Sequence, residues 1–355
     1  MSESLVKGRA GTLGAFVDGR DNNFNLLRFL AASAVLASHS FALATGDPGS
    51  EPLRQLLGTT PGIIAVDVFF LTSGFLVSGS LVRRKDVRSF ALARALRIYP
   101  ALIVAVSLTV LAVGLWFTSL TSSSFFANPQ TWIYWARNIT LITNVAHLLP
   151  GAFAQTPWRF AVNASLWTLP YEMAMYLLLA GVWLAVSALH KEPGRLFGRA
   201  IVSISATAMV AHLLLIGVVS SSAVRLVAMF FTGSALFILR NRVTLNGRVF
   251  AALFVALLAS TLYEPVFSRY YPLAIPYLVF YLAYVPGGLV RRFNRIGDYS
   301  YGIYIYAWPV QQMTVALNPG IGPLNMFVRS FLATWLLAIM SWHWIEKPSL
   351  ARKPA

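Results

Sequence analysis

Residues 24–45 read FNLLRFLAASAVLASHSFALAT, an apolar run with one arginine near its start, Arg28, and one histidine near its end, His39. About 20 mostly apolar residues wound as a helix rise roughly 30 Å, the thickness of bilayer hydrocarbon. Comparable runs recur at roughly 61–82, 90–113, 165–188, 200–219, 223–239, 249–263, 270–286, 299–316 and 325–345. Their pattern predicts an all-α, polytopic integral membrane protein of about ten transmembrane helices. Composition agrees: the 355 residues are 57% hydrophobic and 11% charged, with a mean hydropathy of +0.66. A soluble domain carries about 25% charged residues, and a water-soluble fold has no way to hide this much apolar surface.

The net charge of +16 would suggest nucleic acid in a soluble protein, but the placement of the 28 Lys and Arg points elsewhere. With the N-terminus inside, all of them except Arg54, Arg137, Arg159, Arg225, Arg269 and Arg329 fall on the cytoplasmic side: Lys7, Arg9, Arg20 and Arg28, then the groups at 83–97, 191–199, 240–248, 291–295 and 347–353. This is the bias of the positive-inside rule, and it excludes nucleic acid as the partner that explains the charge. It predicts cytoplasmic N- and C-termini. The domain reading is a cytoplasmic tail at 1–23, a membrane-embedded domain at 24–345 with a long external segment at 114–164, and a cytoplasmic tail at 346–355, with no soluble domain appended.

Cysteine is absent, which removes disulfides, cysteine metal sites and a thioester nucleophile. Ala42-Leu43-Ala44 has the small-residue pattern of a signal-peptide cleavage site. The run before it is longer than a usual signal core, contains Arg28, and its removal would leave an odd number of helices. Within 114–164, Trp132, Trp135 and Ile139 recur at helical spacing, so the part near 130–148 is expected as an amphipathic helix on the membrane surface, either as an interfacial belt or as a lid or substrate-binding surface.

Ionisable side chains within hydrocarbon cost about 2.5–3.5 kcal/mol on insertion scales, so each is a functional hypothesis. His39, Asp67 and Glu172 each lie several residues in from the expected external end of a span. At 1.5 Å per residue they come out at a similar depth, about 8–10 Å, and a shared polar site is the economical explanation. Arg28 and His39 are eleven residues apart, close to three turns, and so occupy one face of the first helix, separated by about 16 Å. That face joins a cation suited to an anion with an imidazole suited to proton transfer. Arg94 and Arg97 share a helical face at the cytoplasmic mouth of the third span. A guanidinium pair there grips phosphate bidentately or anchors to lipid headgroups, and spacing alone leaves both readings open. Asp298 and Glu346, at cytoplasmic ends, are expected to pair with nearby cations, and Tyr301, Tyr304 and Trp308 recur at helical spacing as packing or pocket lining.

These segments are familiar together. Arg28 with His39, Val66-Asp-Val-Phe-Phe-Leu-Thr-Ser-Gly-Phe-Leu76, Arg94-Ala-Leu-Arg-Ile-Tyr-Pro100, Ser165-Leu-Trp-Thr-Leu-Pro-Tyr-Glu172, Tyr301-Gly-Ile-Tyr-Ile-Tyr-Ala-Trp-Pro309 and Ile345-Glu-Lys-Pro348 resemble, in order, the motifs of the membrane-bound acyltransferase family 3, whose members acylate carbohydrates and some small molecules. The resemblance covers 24–348. It departs at Trp308, where relatives often carry histidine, and at Pro170-Tyr171, where a proline is expected to kink the helix toward the site; the esterase-like second domain of many relatives has no counterpart.

The resemblance implies an O-acyltransferase of the cell inner membrane that moves an acyl group, acetyl being the commoner, from cytoplasmic acyl-CoA to a hydroxyl of an extracytoplasmic carbohydrate, such as a cell-surface polysaccharide or its lipid-linked precursor. No metal is expected. His39 would be the general base, oriented by Glu172 or Asp67, while Arg28, Arg94 and Arg97 would bind the donor phosphates, with Arg84 and Arg88 as weaker candidates. The competing class is a transporter or flippase of a polysaccharide pathway, since intramembrane charges also mark transport routes. Against it, the sequence carries no inverted repeat and no matched pair of broken helices.

Overall fold

The computed structural model describes residues 11–17, 21–159, 161–190, 192–218 and 222–353, and it is about 78% helical. Lys7, Arg9, Arg20 and Lys191, all assigned above to the cytoplasmic side, lie outside the described residues, as does most of the 1–23 tail.

Ten helices of 14 or more residues make up the body among the described residues. In chain order the first five are α1 (Phe24–Thr45), α2 (Pro61–Arg84), α3 (Val87–Ala112), α4 (Leu169–Leu189) and α5 (Pro193–Leu215). The second five are α6 (Ser222–Ile238), α7 (Gly247–Ser260), α8 (Glu264–Tyr284), α9 (Ser300–Leu317) and α10 (Pro323–Ser341). Each apolar run in the sequence folds as one of them. The starts of α5 and α8 come several residues before 200 and 270, because Pro193 and Pro265 occupy first-turn positions that lack an intrahelical N–H partner anyway.

Local chemistry sets the ends. Thr60 caps α2 by accepting from the Ile63 N–H at 3.1 Å, and Asp86 caps α3 by accepting from the Arg88 and Ser89 N–H groups. Gly46 ends α1 in the left-handed region, at φ 77°.

Six of the ten are long and apolar enough to cross a membrane: α1, α2, α3 with its extension to Phe117, α4 with the turn before it, α5, and α10 with its extension to Ala351. A seventh is added if α8 and Leu289–Arg295, bent by 85°, form one broken span. Helices α6 and α7 have 17 and 14 residues, and the latter rises only about 21 Å. Helix α9 is set apart by its surroundings: from Ser300 to Pro309 every residue is buried, and so are Gln311 and Gln312.

Helix α9 packs on α1 and α10, and α6 is held between α2 and α5. The α2–α6 crossing is close because both helices present glycine. A Cβ on Gly74 would stand 1.9 Å from the Phe230 carbonyl oxygen, and one on Gly233 would stand 2.0 Å from that of Leu71.

Segments assigned by charge to one side of the membrane meet at one end of the bundle. Gly11–Thr12 pairs antiparallel with Thr244–Leu245, the Asn23 N–H donates to the Ala283 carbonyl at 2.7 Å, and Arg291 pairs with Asp21 at 2.7 Å. The 114–164 segment holds a helix at Pro129–Thr140, shorter than the 130–148 span expected because Leu141 turns left-handed, at φ 55°. Trp135 of that helix donates to Ser107 on α3 at 2.9 Å.

Candidate active site

A cleft enclosing about 450 Å³, open mouth included, lies among α1, α2, α4 and α9. Arg28, Phe69, Thr168, Glu172, Ser300 and Tyr304 are among its walls. Arg28 faces the Phe69 ring at 5.4 Å and donates from Nε to Ser300 Oγ at 3.3 Å. Glu172 Oε1 accepts from the Tyr176 hydroxyl and from Ser73 Oγ, the latter at 3.1 Å. A cation and a carboxylate thus border one space, and Tyr301 and Tyr304 line it.

Behind Arg28 lies a buried ionic network. Arg97 pairs with Asp298 at 2.5 Å and with Glu346 at 3.3 Å. Asp298 also lies 3.8 Å from Arg28 and accepts from Ser300 Oγ at 2.5 Å, and Glu346 accepts from Ser341 Oγ at 3.0 Å. Burial by itself would raise the Asp298 carboxyl, but the Arg97 and Arg28 guanidiniums and the Ser300 hydrogen bonds hold it at about 2. The expectation that Asp298 and Glu346 pair with nearby cations holds.

Arg94, one helical turn before Arg97, makes no ion pair among the described residues. Its guanidinium faces the Tyr176 ring at 6.0 Å, and its Nε is buried without a hydrogen-bond partner. Lys353, which sequence reasoning passed over, lies near it: burial and the charges of Arg94, Arg97 and Arg84 lower its ammonium to about 8. Arg88 is exposed.

Asp67 is fully buried, and both its oxygens are taken. Arg225 on α6 pairs with Oδ1 and also donates to the Ile63 carbonyl at 3.3 Å, while the Tyr271 hydroxyl donates to Oδ2 at 3.0 Å. This pairing spans 158 residues of sequence, and no local spacing announces it. Its only sequence signal was an arginine on the side of the molecule poor in basic residues.

His39 lies farther along α1. Its ring meets the edge of Trp308 at a centroid distance of 4.7 Å and an interplanar angle of 70°, and its Nδ1 is buried without a hydrogen-bond partner. Trp308 is anchored by donation from Nε1 to the Ala161 carbonyl at 3.1 Å.

Among the described residues no hydrogen bond or ion pair joins His39, Asp67 and Glu172 to one another. Glu172 shares its cleft with Arg28, and Asp67 is committed to Arg225 and Tyr271. The fourth span begins at Ser165, as the sequence predicts. Residues Ser165–Thr168 form a 3-10 turn, and α4 begins at Leu169, which puts Glu172 in its first turn. For the same reason Pro170 starts the helix and does not kink it. His212, half-buried on α5, lies toward Arg225, and His343 lies 3.5 Å from the Tyr299 hydroxyl.

Comparison with known proteins follows the same lines. The chain is 29% identical over 356 residues to an O-acetyl transferase of Shigella phage Sf6, covering 94% of this chain and 97% of that protein. It is also 29% identical over 363 residues to nodulation protein 10 of Rhizobium leguminosarum bv. viciae, with 94% of each chain covered. No solved structure matches. A family model for an acyltransferase domain matches residues 21–343, which takes in every motif quoted above except the final Ile345–Pro348 and nearly the whole body of helices, and the chain belongs to the acyltransferase 3 family.

Proposed function

We propose that the protein transfers an acyl group, acetyl in the simplest case, from cytoplasmic acyl-CoA to a hydroxyl of an extracytoplasmic carbohydrate, working as a multi-pass protein of the cell inner membrane. The observation that carries this reading is the layout of α1. Arg28 borders an open cleft, and on the same helix, about 16 Å farther along, stands a histidine that no carboxylate holds among the described residues. An extended pantetheine arm suits that separation, with phosphates at the Arg28 end and the thioester near His39. The name of the phage relative supports acetyl as the group moved.

In this mechanism the acceptor oxygen attacks the thioester carbonyl while His39 takes the hydroxyl proton. The new C–O bond forms, the C–S bond breaks, and the departing thiolate receives the proton from the imidazolium. Arg94, which makes no ion pair among the described residues, and Arg28 at the cleft hold the donor phosphates. Arg97 braces them through Asp298, and Glu172 borders the donor channel. Asp67 fixes α2 to α6 and α8 and so acts through the scaffold.

The topology proposed with it is ten spans with both termini cytoplasmic: tails at 1–23 and 346–355, and the 114–164 segment outside the membrane-embedded 24–345. The gathering of segments 11–17, 21–28, 83–97, 240–248, 286–298 and 346–353 at one end of the bundle supports it. Purified protein in lipid nanodiscs, given acetyl-CoA labelled in the acetyl group and envelope polysaccharide stripped of its esters by mild alkali, is expected to label the polysaccharide. Label confined to free acetate, or retained on CoA, would refute the proposal.

A further inference from the structure

A buried polar atom without a partner costs free energy, so native chains carry few, and each asks for a reason. Several lie on α9, whose Trp308 meets the His39 ring, and on the 161–168 segment bonded to it. Gln311 donates from Nε2 to the Leu36 carbonyl and to Ser40 Oγ, both at 2.8 Å. Gln312 donates from Nε2 to the carbonyls of Trp158 and Ala161, at 2.7 and 2.8 Å. Asn163 donates from Nδ2 to the Ile305 carbonyl at 2.9 Å. Those donations fix three amide groups, and the oxygen of each is buried with no partner, as are Ser165 Oγ and His39 Nδ1. Trp308 links the set, since its ring meets His39 and its Nε1 shares the Ala161 carbonyl with Gln312.

The unmet capacity has a definite chemical character. Three amide oxygens only accept, a hydroxyl and an imidazole nitrogen accept or donate, and none of the side chains bearing them carries a fixed charge. A phosphate or carboxylate would face carbonyl oxygens. A ligand with several O–H donors and no charge complements the set. We infer that Asn163, Ser165, Gln311 and Gln312, with Trp308 behind the His39 ring, form the binding site for a neutral polyhydroxylated acceptor, a sugar ring whose neighbouring hydroxyls donate to the amide oxygens while the reacting hydroxyl faces His39. The inference rests on the acyl-transfer reading with His39 as base. Residues 161–168, which carry Asn163 and Ser165, are coil and a 3-10 turn held to α9 by side-chain bonds of Asn163, Thr168, Tyr304, Trp308 and Gln312. Such an attachment opens without unfolding a helix, and His39 is itself only partly buried.

Ser165→Ala makes a clean test because it removes a hydroxyl that bonds to nothing in the protein. Full-length protein in nanodiscs is assayed with labelled acetyl-CoA and alkali-stripped envelope polysaccharide, varying each in turn, beside a melting curve. Ser165→Ala is expected to leave the melting temperature equal or higher, to raise the polysaccharide KM about 3- to 10-fold, the worth of one neutral hydrogen bond, and to leave the acetyl-CoA KM unchanged. Gln312→Met, as a second variant, is expected to raise the same KM at least as much. An unchanged polysaccharide KM in both variants, or an equal rise in both KM values, would overturn the inference and leave buried water as the partner of these atoms. Failure of the wild-type protein to transfer acetyl at all would instead overturn the acyl-transfer reading, and the acceptor site would fall with it.

Discussion

The two ends of α1 treat their polar groups in opposite ways. At the Arg28 end, Arg97, Asp298, Glu346 and Ser300 satisfy one another in a buried network. At the His39 end, an imidazole stands against an indole, and amide oxygens nearby lack partners. Buried ions survive only when paired and hydrogen-bonded, so the first region reads as architecture that holds α3, α9 and the end of α10 together. Unmet groups are tolerated where a substrate completes them, so the second reads as a place of chemistry. Arg94 breaks the pattern at the Arg28 end, being one turn from Arg97 yet without an ion pair among the described residues, and on that difference we assign Arg97 to bracing and Arg94 to binding.

The largest effect should follow from breaking the paired region. Arg97→Ala leaves Asp298 and Glu346 buried without their shared cation, and loss of one partner from a buried pair costs about 3–5 kcal/mol. The expected result is a sharply lowered melting temperature and poor yield in detergent, with partial recovery when Asp298→Asn and Glu346→Gln are added. A variant that melts like wild type would dissolve the distinction between the two regions.

A smaller, different effect is expected at Arg94. Arg94→Ala should fold normally and bind CoA about 10-fold or more weakly by titration calorimetry, with Arg94→Lys restoring only part because an ammonium lacks the bidentate fork. Unchanged CoA affinity would return Arg94 to lipid anchoring. The smallest effect is in acid. A carboxyl held down at about 2, against an ordinary 3.8, contributes stability that is fully present above the ordinary value and is lost as pH falls toward 2. Melting temperature should therefore drop between about pH 4 and pH 2, and Asp298→Asn should flatten that part of the profile.

Much of this was legible in the sequence, and what was not has a common cause. Helix existence rests on local composition, so each apolar run marked in the sequence folds as a helix. Partner choice is non-local. Nothing near Asp67 says that Arg225 and Tyr271 will reach it, because that contact depends on the close α2–α6 approach allowed by Gly74 and Gly233. The separate settings of Glu172, in the Arg28 cleft, and of Asp67, bonded to Arg225 and Tyr271, are non-local in the same way. The isolation of His39 was likewise invisible, because the absence of a partner is a property of the packed chain.

The most direct test of a proton-accepting His39 in the unpartnered region is the acyl-transfer rate of purified His39→Gln protein, measured with labelled acetyl-CoA and stripped polysaccharide beside a melting curve. Glutamine keeps a hydrogen-bonding side chain of similar reach but has no basic nitrogen. A general base contributes about 10²–10⁴-fold, so the expected result is a rate lower by at least that order with the melting temperature unchanged. A rate within a few-fold of wild type would contradict the assignment and move the base to Glu172.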